Sequence, residues 1–290
     1  MSIAQMIRRS ARARAALALP IMARRRWIER HEKYYNDILD RLAATAVEDV
    51  VLRIDEFRGE FQLPPRSHLL RRILRHGCYE PAISSLFYSH IDKDRDIIDV
   101  GANVGFFTVG GAKSLANGRV LAVEPVSAAF QRLQRNVERN QVSKRVLFFN
   151  GLLSNEIGDC AINTVVGMEE YSSIGPLTHR WVAGQESRST IVKMSRLDDL
   201  VSDYGLNPKL IKVDVEGAEQ LVFSGAVETI KAYRPYVLSE LSGPLAKQLG
   251  GSSMEVVNFF ERLNYRVVDP LDPGARPGAR EFCDIFCIPN

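Results

Sequence analysis

The residues of this chain with the clearest chemical meaning lie in one short segment, "DIIDVGANVGFF" at positions 96–107. An apolar run there ends in Asp99, and Gly101 and Gly105 follow it. Glycine lets the backbone turn sharply and approach a ligand closely, so the segment predicts a binding turn at the carboxyl end of a strand. The next apolar run ends in Glu124, whose carboxylate could accept hydrogen bonds from both hydroxyls of a ribose. Together these residues predict a nucleoside pocket.

The charge of Asp99 discriminates between the nucleosides that such a turn could hold. A dinucleotide would bring its pyrophosphate close to this carboxylate, where repulsion costs roughly 4 kcal/mol at a separation of about 4 Å. S-adenosylmethionine has no phosphate and carries an ammonium and a sulfonium, which acids attract. The spacing Gly-Ala-Asn-Val-Gly also departs from the Gly-x-Gly-x-x-Gly of dinucleotide folds. The predicted cofactor is therefore S-adenosylmethionine, and its predicted binding residues are Asp99, Gly101, Asn103, Gly105 and Glu124.

A second group of ionisable residues lies in "IKVDVEGAEQL", at positions 211–221. We expect Lys212, Asp214 and Glu216 to meet at the same sheet edge, with Glu240 at the end of the next strand. Asp214 or Glu216 could take a proton from an acceptor hydroxyl as a general base, or could hold a divalent metal. The acids follow no metal-ligand spacing, which favours a site without an obligatory ion. In the structural alternatives, Glu216 favours the start of a helix and Lys212 is a counter-ion of Asp214 or Glu240.

Strands and helices must position these residues, and the apolar pattern predicts that they alternate. From Asp96 onward, short apolar runs alternate with amphipathic helices, a βαβ rhythm that is typical of a parallel sheet. We expect an α/β, doubly wound, mostly parallel sheet of seven strands whose last strand runs antiparallel. Between about residues 152 and 195 the helical rhythm fails, which predicts a β-rich insertion on the substrate side. His179, which lies in this insertion, could be functional or an inert surface residue.

The first 66 residues are predicted to form a basic helical arm, and residues 67–290 a single main domain. The first 35 residues contain nine Arg or Lys and two Glu, whereas the whole chain of 290 residues has a net charge of +3. Such an arm could form a homodimer contact, touch an anionic membrane surface, or bind RNA phosphates. Because no RNA-binding module is recognisable, nucleic acid is the least favoured of these partners.

The composition of the chain restricts its class and its compartment. With 46% apolar and 25% charged residues, the chain can bury a large core. Four cysteines without a CxxC pair argue against a zinc site and favour reduced thiols in the cytoplasm. No apolar stretch reaches the roughly 20 residues that cross a bilayer, so we expect no transmembrane helix.

Four further segments occur in order along the chain, "DIIDVGANVGFFTV", "AVEP", "LIKVDVEGAEQLVFSGA" and "RPYVLSEL". In their residues and their order they resemble the motifs of the FkbM-type methyltransferases that depend on S-adenosylmethionine. "HGCYEP", at positions 76–81, is similar to the segment that precedes the first motif in that family. The resemblance covers roughly residues 70–288.

The resemblance implies a class I methyltransferase fold with a Rossmann-like sheet, and most often O-methylation of a sugar, glycolipid or polyketide-type hydroxyl. Tyr79 and Glu80, in the segment before the first motif, could fold over the cofactor, and a hinge or packing role is equally open. Two alternatives remain, an RNA or protein methyltransferase that uses the basic arm and an NAD-type nucleotide-binding protein. The chain lacks the Asn/Asp-Pro-Pro-Tyr run of amino-group methyltransferases and the Pro-Cys of pyrimidine-carbon methyltransferases, which favours oxygen as the acceptor atom.

Overall fold

The computed structural model of the protein describes residues 37, 40, 41, 48–175 and 186–290. Most of the predicted basic arm, and His179 in the insertion, lie outside these described residues. The described part begins with two strands, β1 (Val50–Ile54) and β2 (Gly59–Leu63), which form an antiparallel hairpin around a single 3-10 turn. The helices α1 (His68–His76) and α2 (Pro81–Ser89) follow.

The prediction of a helical arm is wrong at residues 50–63, where the chain forms this hairpin. In β2, the buried positions Gly59, Phe61 and Leu63 alternate with more exposed ones, a period of two that suits a strand and not a helix. Phe57 in the turn is also fully buried. The hairpin therefore contributes to the core of the main domain, while the division of the chain into an arm and a domain stays a prediction.

The main domain continues as alternating strands and helices. Its first half comprises β3 (Asp96–Val100), α3 (Phe106–Ser114), β4 (Val120–Val123), α4 (Ser127–Arg139) and β5 (Val146–Phe149). The insertion comprises β6 (Leu152–Leu153), β7 (Gly158–Val165) and β8 (Ser187–Ser195). The second half comprises α5 (Leu197–Asp203), β9 (Pro208–Val213), α6 (Glu219–Ser224), α7 (Val227–Tyr233), β10 (Tyr236–Ser242), α8 (Gly243–Gln248), α9 (Ser253–Arg262), β11 (Tyr265–Val268) and β12 (Phe282–Pro289).

Seven strands form one sheet in the order β11-β12-β10-β9-β3-β4-β5. The pairs β10–β9, β9–β3, β3–β4 and β4–β5 are parallel, and β12 is antiparallel to both of its neighbours. This confirms the prediction of a doubly wound, mostly parallel sheet whose last strand is antiparallel. The chain order reverses at β3, so ligands are expected in the crevice beyond the carboxyl ends of β3 and its neighbours β4 and β9.

Two apolar cores cover the two faces of this sheet. One core contains the hairpin residues Phe57 and Phe61 and the helices α1 to α3, and the other contains α5 to α7 and α9. The insertion forms a separate three-stranded sheet in the order β6-β8-β7, and its predicted bounds of about 152–195 stay a prediction. In the described part of the chain, no helix is both long enough and apolar enough to cross a membrane.

Two asparagines of α4 attach the hairpin to the main domain. Asn136 exchanges hydrogen bonds with the backbone of Gln62, whose N–H donates to Asn136 Oδ1 (2.7 Å) and whose carbonyl accepts from Asn136 Nδ2 (3.2 Å). Asn140 does the same with the backbone of Glu60, at 3.0 and 2.7 Å. Residues four apart on a helix and two apart on a strand are both separated by about 6 Å along their axes. The two amides can therefore pair with successive outward-facing backbone groups of β2.

Candidate active site

The glycine turn lies between the ends of three strands. Gly101 has a φ of +76° and Asn103 a φ of +50°, in the left-handed region that glycine and asparagine tolerate best. The backbone N–H groups of Gly101 and Ala102 both donate to the carbonyl of Val123, at 3.0 and 2.9 Å. A β-carbon at Gly101 would collide with the carbonyl oxygen of Asp214. The turn is therefore packed tightly against the last residue of β4 and the segment that follows β9.

Asp99 lies under this turn with one oxygen paired and one unpaired. Its side chain is buried, and Thr108 Oγ1 donates to its Oδ2 at 2.5 Å. Its Oδ1 is also buried but has no hydrogen-bond partner among the described residues. Burial raises the pKa of Asp99, although the nearby Lys212 and the Thr108 hydroxyl act in the opposite direction. A buried acceptor without a partner is costly, which indicates that a ligand donor belongs beside it.

Glu124 closes the other side of the turn. The backbone N–H of Asn103 donates to its Oε2 and that of Val126 to its Oε1, both at 2.8 Å. Burial raises the pKa of Glu124 to about 7 against the effect of these two bonds. Each carboxylate oxygen keeps a second acceptor direction, so the group is held in place without being saturated.

A cavity of about 310 Å³ opens at this edge of the sheet, large enough for a small-molecule ligand. Nine of the ten residues predicted from the sequence line it: Glu80, Asp99, Gly101, Asn103, Glu124, Lys212, Asp214, Glu216 and Glu240. Gly105 is not part of the lining. It directly precedes α3 and has a φ of +90°, and a side chain there would approach Leu133 of α4 to 2.5 Å. Gly105 therefore serves the close packing of α3 against α4.

Lys212 and Asp214 form an ion pair at the end of β9. Lys212 Nζ donates to Asp214 Oδ2 at 3.1 Å, and Asp99 is the cross-strand neighbour of Lys212 in β3. Burial opposes the charge of Lys212, but Asp214, Asp99 and Glu80 together raise its pKa. Lys212 therefore pairs with Asp214, as its predicted role as a counter-ion requires, and it also lines the cavity.

The remaining acids lie around this pair and repel one another. Glu216 has a φ of +51°, and burial together with the charge of Asp214 raises its pKa to about 8. The charge of Asp214 also raises the pKa of Glu240, as does burial. Glu240 lies opposite Asp284 in the β10–β12 register, and the pKa of Asp284 is raised to about 7 by burial and by Glu80. Asp284 was not predicted, although its register opposite Glu240 follows once β12 is placed next to β10.

The insertion supplies another part of the cavity wall. Its short 3-10 turn, Glu169–Tyr171, and the residues up to Ile174 line the cavity. Glu169 Oε2 lies 3.4 Å from Nη1 of Arg132, and the same guanidinium pairs with Asp49 at 2.8 Å. Glu170 accepts a short hydrogen bond from the backbone N–H of His68, at the start of α1. The insertion turn is thus attached on two sides, a feature that the sequence pattern did not reveal.

Helix α1 and the segment after it complete the lining. His68, Leu69 and Arg72 face the cavity from one side of this helix. The guanidinium of Arg72 lies 4.8 Å from the ring centroid of Tyr79, and its Nη1 is 3.3 Å from Glu80 Oε1. Among the described residues, no group of three or more His, Cys, Asp or Glu side chains is arranged to hold a metal ion.

The chain has a Rossmann-like sheet with a glycine turn after β3 and an acid after β4. An acid-lined cavity lies at the switch point of this sheet. These features define the fold of a class I methyltransferase. A model of the methyltransferase FkbM domain matches residues 99–267, which is more than half of the chain. The protein belongs to the FkbM methyltransferase family, as the motifs predicted.

Several known proteins are similar to parts of this chain. Methyltransferase 1 of Beauveria bassiana is 28% identical over 151 residues, which cover 46% of this chain and 58% of that protein. Methyltransferase sdnD of Sordaria araneosa is 24% identical over 184 residues, covering 55% and 68% of the two chains. The AMB antimetabolite synthetase AmbE of Pseudomonas aeruginosa is 26% identical over 204 residues, which are 60% of this chain and 10% of that protein.

Among solved structures, the methyltransferase FkbM from Methylobacillus flagellatus KT is similar with a TM-score of 0.46 and 15% identity. The match covers 89% of this chain and 59% of that one. The chain thus spans about three fifths of the Beauveria bassiana and Methylobacillus flagellatus proteins.

Proposed function

We propose that this protein is an S-adenosylmethionine-dependent O-methyltransferase that acts on a hydroxyl of a sugar, a glycolipid or a secondary metabolite. The observation that carries the proposal is the buried, unpartnered Oδ1 of Asp99, which lies under the glycine turn in an acid-lined cavity. The family match supports methyl transfer, and the geometry supports the choice of cofactor.

The charges of the cavity fit S-adenosylmethionine. Eight carboxyl side chains line it, against the two permanent cations Arg72 and Lys212 in the described part of the chain. An ammonium and a sulfonium would be attracted to such a lining, whereas a pyrophosphate would be repelled. The Oδ1 atom of Asp99 would accept from the ammonium, directly or through water, and thereby satisfy the buried acceptor.

Glu124 would bind the ribose of the cofactor. Its two oxygens are oriented by the N–H groups of Asn103 and Val126, and the acceptor directions that remain suit the two ribose hydroxyls. Asn103 holds its N–H toward Glu124 because of its left-handed conformation. The ribose site therefore depends on the same turn as the ammonium site.

When bound, S-adenosylmethionine supplies an electrophilic methyl group on a cationic leaving group. This chain would then have to hold the acceptor oxygen in line with that methyl and to remove its proton. We assign the proton transfer to Asp214, whose Oδ2 is held by Lys212 at the end of β9. Glu216 and Glu240 are the rival bases, and at neutral pH their raised pKa values favour protonated forms.

The name of one relative bears on the class of acceptor. One relative is, by its name, an antimetabolite synthetase, which supports a secondary metabolite as the acceptor. No disulfide joins any of the four cysteines, all of which the structure describes, and this supports a reducing, cytoplasmic location. The basic arm remains a proposed contact for a second copy of this chain or for an anionic membrane surface.

Two experiments test the proposal. Isothermal titration should show that S-adenosylhomocysteine binds and that NAD does not, with Glu124→Ala weakening the former by roughly 1.5 to 3 kcal/mol. Binding of NAD alone would identify a nucleotide-binding protein instead. Methyl-labelled S-adenosylmethionine should then be incubated with separate glycolipid, polysaccharide, small-molecule, RNA and protein fractions. Label in RNA or protein alone would overturn the assignment of the acceptor.

A further inference from the structure

The cavity contains two permanent cations in its described lining, and their surroundings differ. Lys212 is 6% exposed and is committed to Asp214, at 3.1 Å. The side chain of Arg72 is 40% exposed and reaches the cavity from α1. The guanidinium of Arg72 is therefore more accessible to an anionic group of a ligand than the ammonium of Lys212, which is already paired.

The guanidinium of Arg72 is oriented before any ligand binds. It stacks over the ring of Tyr79 at 4.8 Å, and one of its N–H groups meets Glu80 Oε1 at a long 3.3 Å. A guanidinium has five N–H donors in a fixed plane, so one bond of this length leaves most of its donors for a ligand. Burial and the charge of Asp214 raise the pKa of Glu80.

Aromatic contacts connect Arg72 to the glycine turn. The ring of Tyr79 packs edge-on against Phe106, with 5.5 Å between the ring centroids. Phe106 is the first residue of α3, directly after the turn under which Asp99 lies. Arg72 is therefore positioned on the side of the cavity where the amino-acid end of the cofactor would lie if its ammonium meets Asp99.

That end of the cofactor also carries a carboxylate, which the acid-rich lining would repel if no cation were present. We propose that Arg72 binds the carboxylate of the amino-acid end of the cofactor, so that Asp99 and Arg72 together recognise both charges of this end. The proposal rests on S-adenosylmethionine being the cofactor. Bidentate pairing of a guanidinium with a carboxylate would give this contact both strength and orientation.

The test compares two ligands that differ only in the carboxylate. S-adenosylhomocysteine and its decarboxylated analogue, which keeps the amino group, are titrated calorimetrically into the wild type, Arg72→Gln and Arg72→Lys. Arg72→Gln should bind S-adenosylhomocysteine about 10- to 100-fold more weakly, as expected for a charge-assisted bond, and should bind the decarboxylated analogue within about twofold of wild type. Arg72→Lys should recover part of the lost affinity, because it keeps the charge but loses the planar fork.

Arg71→Gln is the matched control. Arg71 is the next residue on α1, pairs with Asp40 at 2.6 Å, and is not among the described residues that line the cavity, so its loss should leave both affinities unchanged. Equal weakening of both ligands in Arg72→Gln would make Arg72 structural. Unchanged binding of both ligands, with a raised KM for the acceptor, would assign it to the acceptor. If the wild type binds neither ligand, the proposed cofactor itself is wrong.

Discussion

The backbone carbonyl of Asp214 occupies the space that a β-carbon at Gly101 would need. The two residues follow the neighbouring strands β3 and β9, and the N–H of Asp214 donates to the carbonyl of Val100 at 3.0 Å. Because the predicted cofactor turn and the predicted base share this contact, neither can move without the other. The contact thus links the proposed cofactor site to the proposed acceptor site.

The first prediction concerns this contact. Gly101→Ala should lower the free energy of unfolding by about 2 to 5 kcal/mol, because it adds left-handed strain to an overlap with backbone. Gly250→Ala is the control, since Gly250 has a nearly equal φ of +78° with nothing within 4 Å of the added carbon. In Gly250→Ala the free energy of unfolding should fall only by the cost of the left-handed strain, about 1 kcal/mol. Equal losses in the two variants, measured by denaturant unfolding, would show that the overlap is relieved at no cost.

The second prediction concerns proton removal. Asp214→Asn keeps the shape of the side chain and removes its basicity, so single-turnover rates should fall by about 10² to 10⁴. Affinity for S-adenosylhomocysteine should change little. Glu216→Gln and Lys212→Met, assayed beside it, separate the rival base from the counter-ion. A folded Asp214→Asn enzyme with a normal chemical step would transfer the role to Glu216.

The third prediction concerns pH and Glu219, a buried residue whose Oε1 accepts from the N–H of Gly217 at 3.0 Å. Burial raises its pKa to about 7, so the folded protein keeps a proton that the unfolded chain releases above about pH 4.5. This group therefore lowers the free energy of unfolding as the pH rises from about 4.5 to 7.

Glu219→Gln keeps an acceptor oxygen and removes the titration. Between pH 5 and pH 8 the free energy of unfolding should fall less in this variant than in the wild type. The difference between the two falls should be at most about 3 kcal/mol. Glu228→Gln changes a side chain that is 76% exposed and should not alter the pH dependence. The prediction fails if the Glu219 variant and the wild type follow parallel pH curves.

The fourth prediction concerns Arg132, which joins Asp49 and Glu169. Glu169→Gln should loosen the insertion turn, because the amide removes the negative charge that pairs with Arg132. Its single oxygen cannot accept both from Arg132 and from the N–H of Gly167, which now donates to Glu169 Oε1 at 3.1 Å. Amide hydrogen exchange at residues 167–174 should accelerate, and affinity for S-adenosylhomocysteine should fall about three- to tenfold. Asp49→Asn should accelerate exchange near the start of the hairpin and leave residues 167–174 unchanged. The same exchange pattern in both variants would mean that Arg132 holds the two segments as one unit.

The fifth prediction concerns the basic arm. Every cavity-lining residue that the structure describes lies at His68 or beyond, so deletion of residues 1–35 should preserve affinity for S-adenosylhomocysteine. Acceptor turnover or the oligomeric state should change instead, and analytical ultracentrifugation separates these two effects. A truncated protein that is folded but no longer binds S-adenosylhomocysteine would place the arm in the pocket.

The sheet and its glycine turn were predictable because their signals are local. An apolar run that ends in Asp99, with glycines shortly after it, indicates a buried strand and a turn without reference to distant parts of the chain. The acids Asp214 and Glu216 were found in the same way, since they follow the strand that must lie beside β3.

Other parts of the site could not be predicted because they depend on packing between distant segments. Arg72 reaches the cavity only because α1 lies across its edge, and Glu169 is tied to Arg132 through the tertiary fold. The segment at residues 50–63 was assigned to a helical arm, although its buried residues alternate as in a strand. Its strands are short and pair only with each other in the described structure, so the alternation extends over too few residues to outweigh the helical pattern before it.

The amides of Asn136 and Asn140 have a consequence for how the protein behaves in a crowded solution. The outer edge of a strand is a template on which another chain can add a strand, and this is a route to aggregation. Here two side chains of α4 occupy that edge of β2, and they imitate the partner strand that is absent. Helix α4 therefore also blocks this edge of β2 against pairing with a strand of another chain.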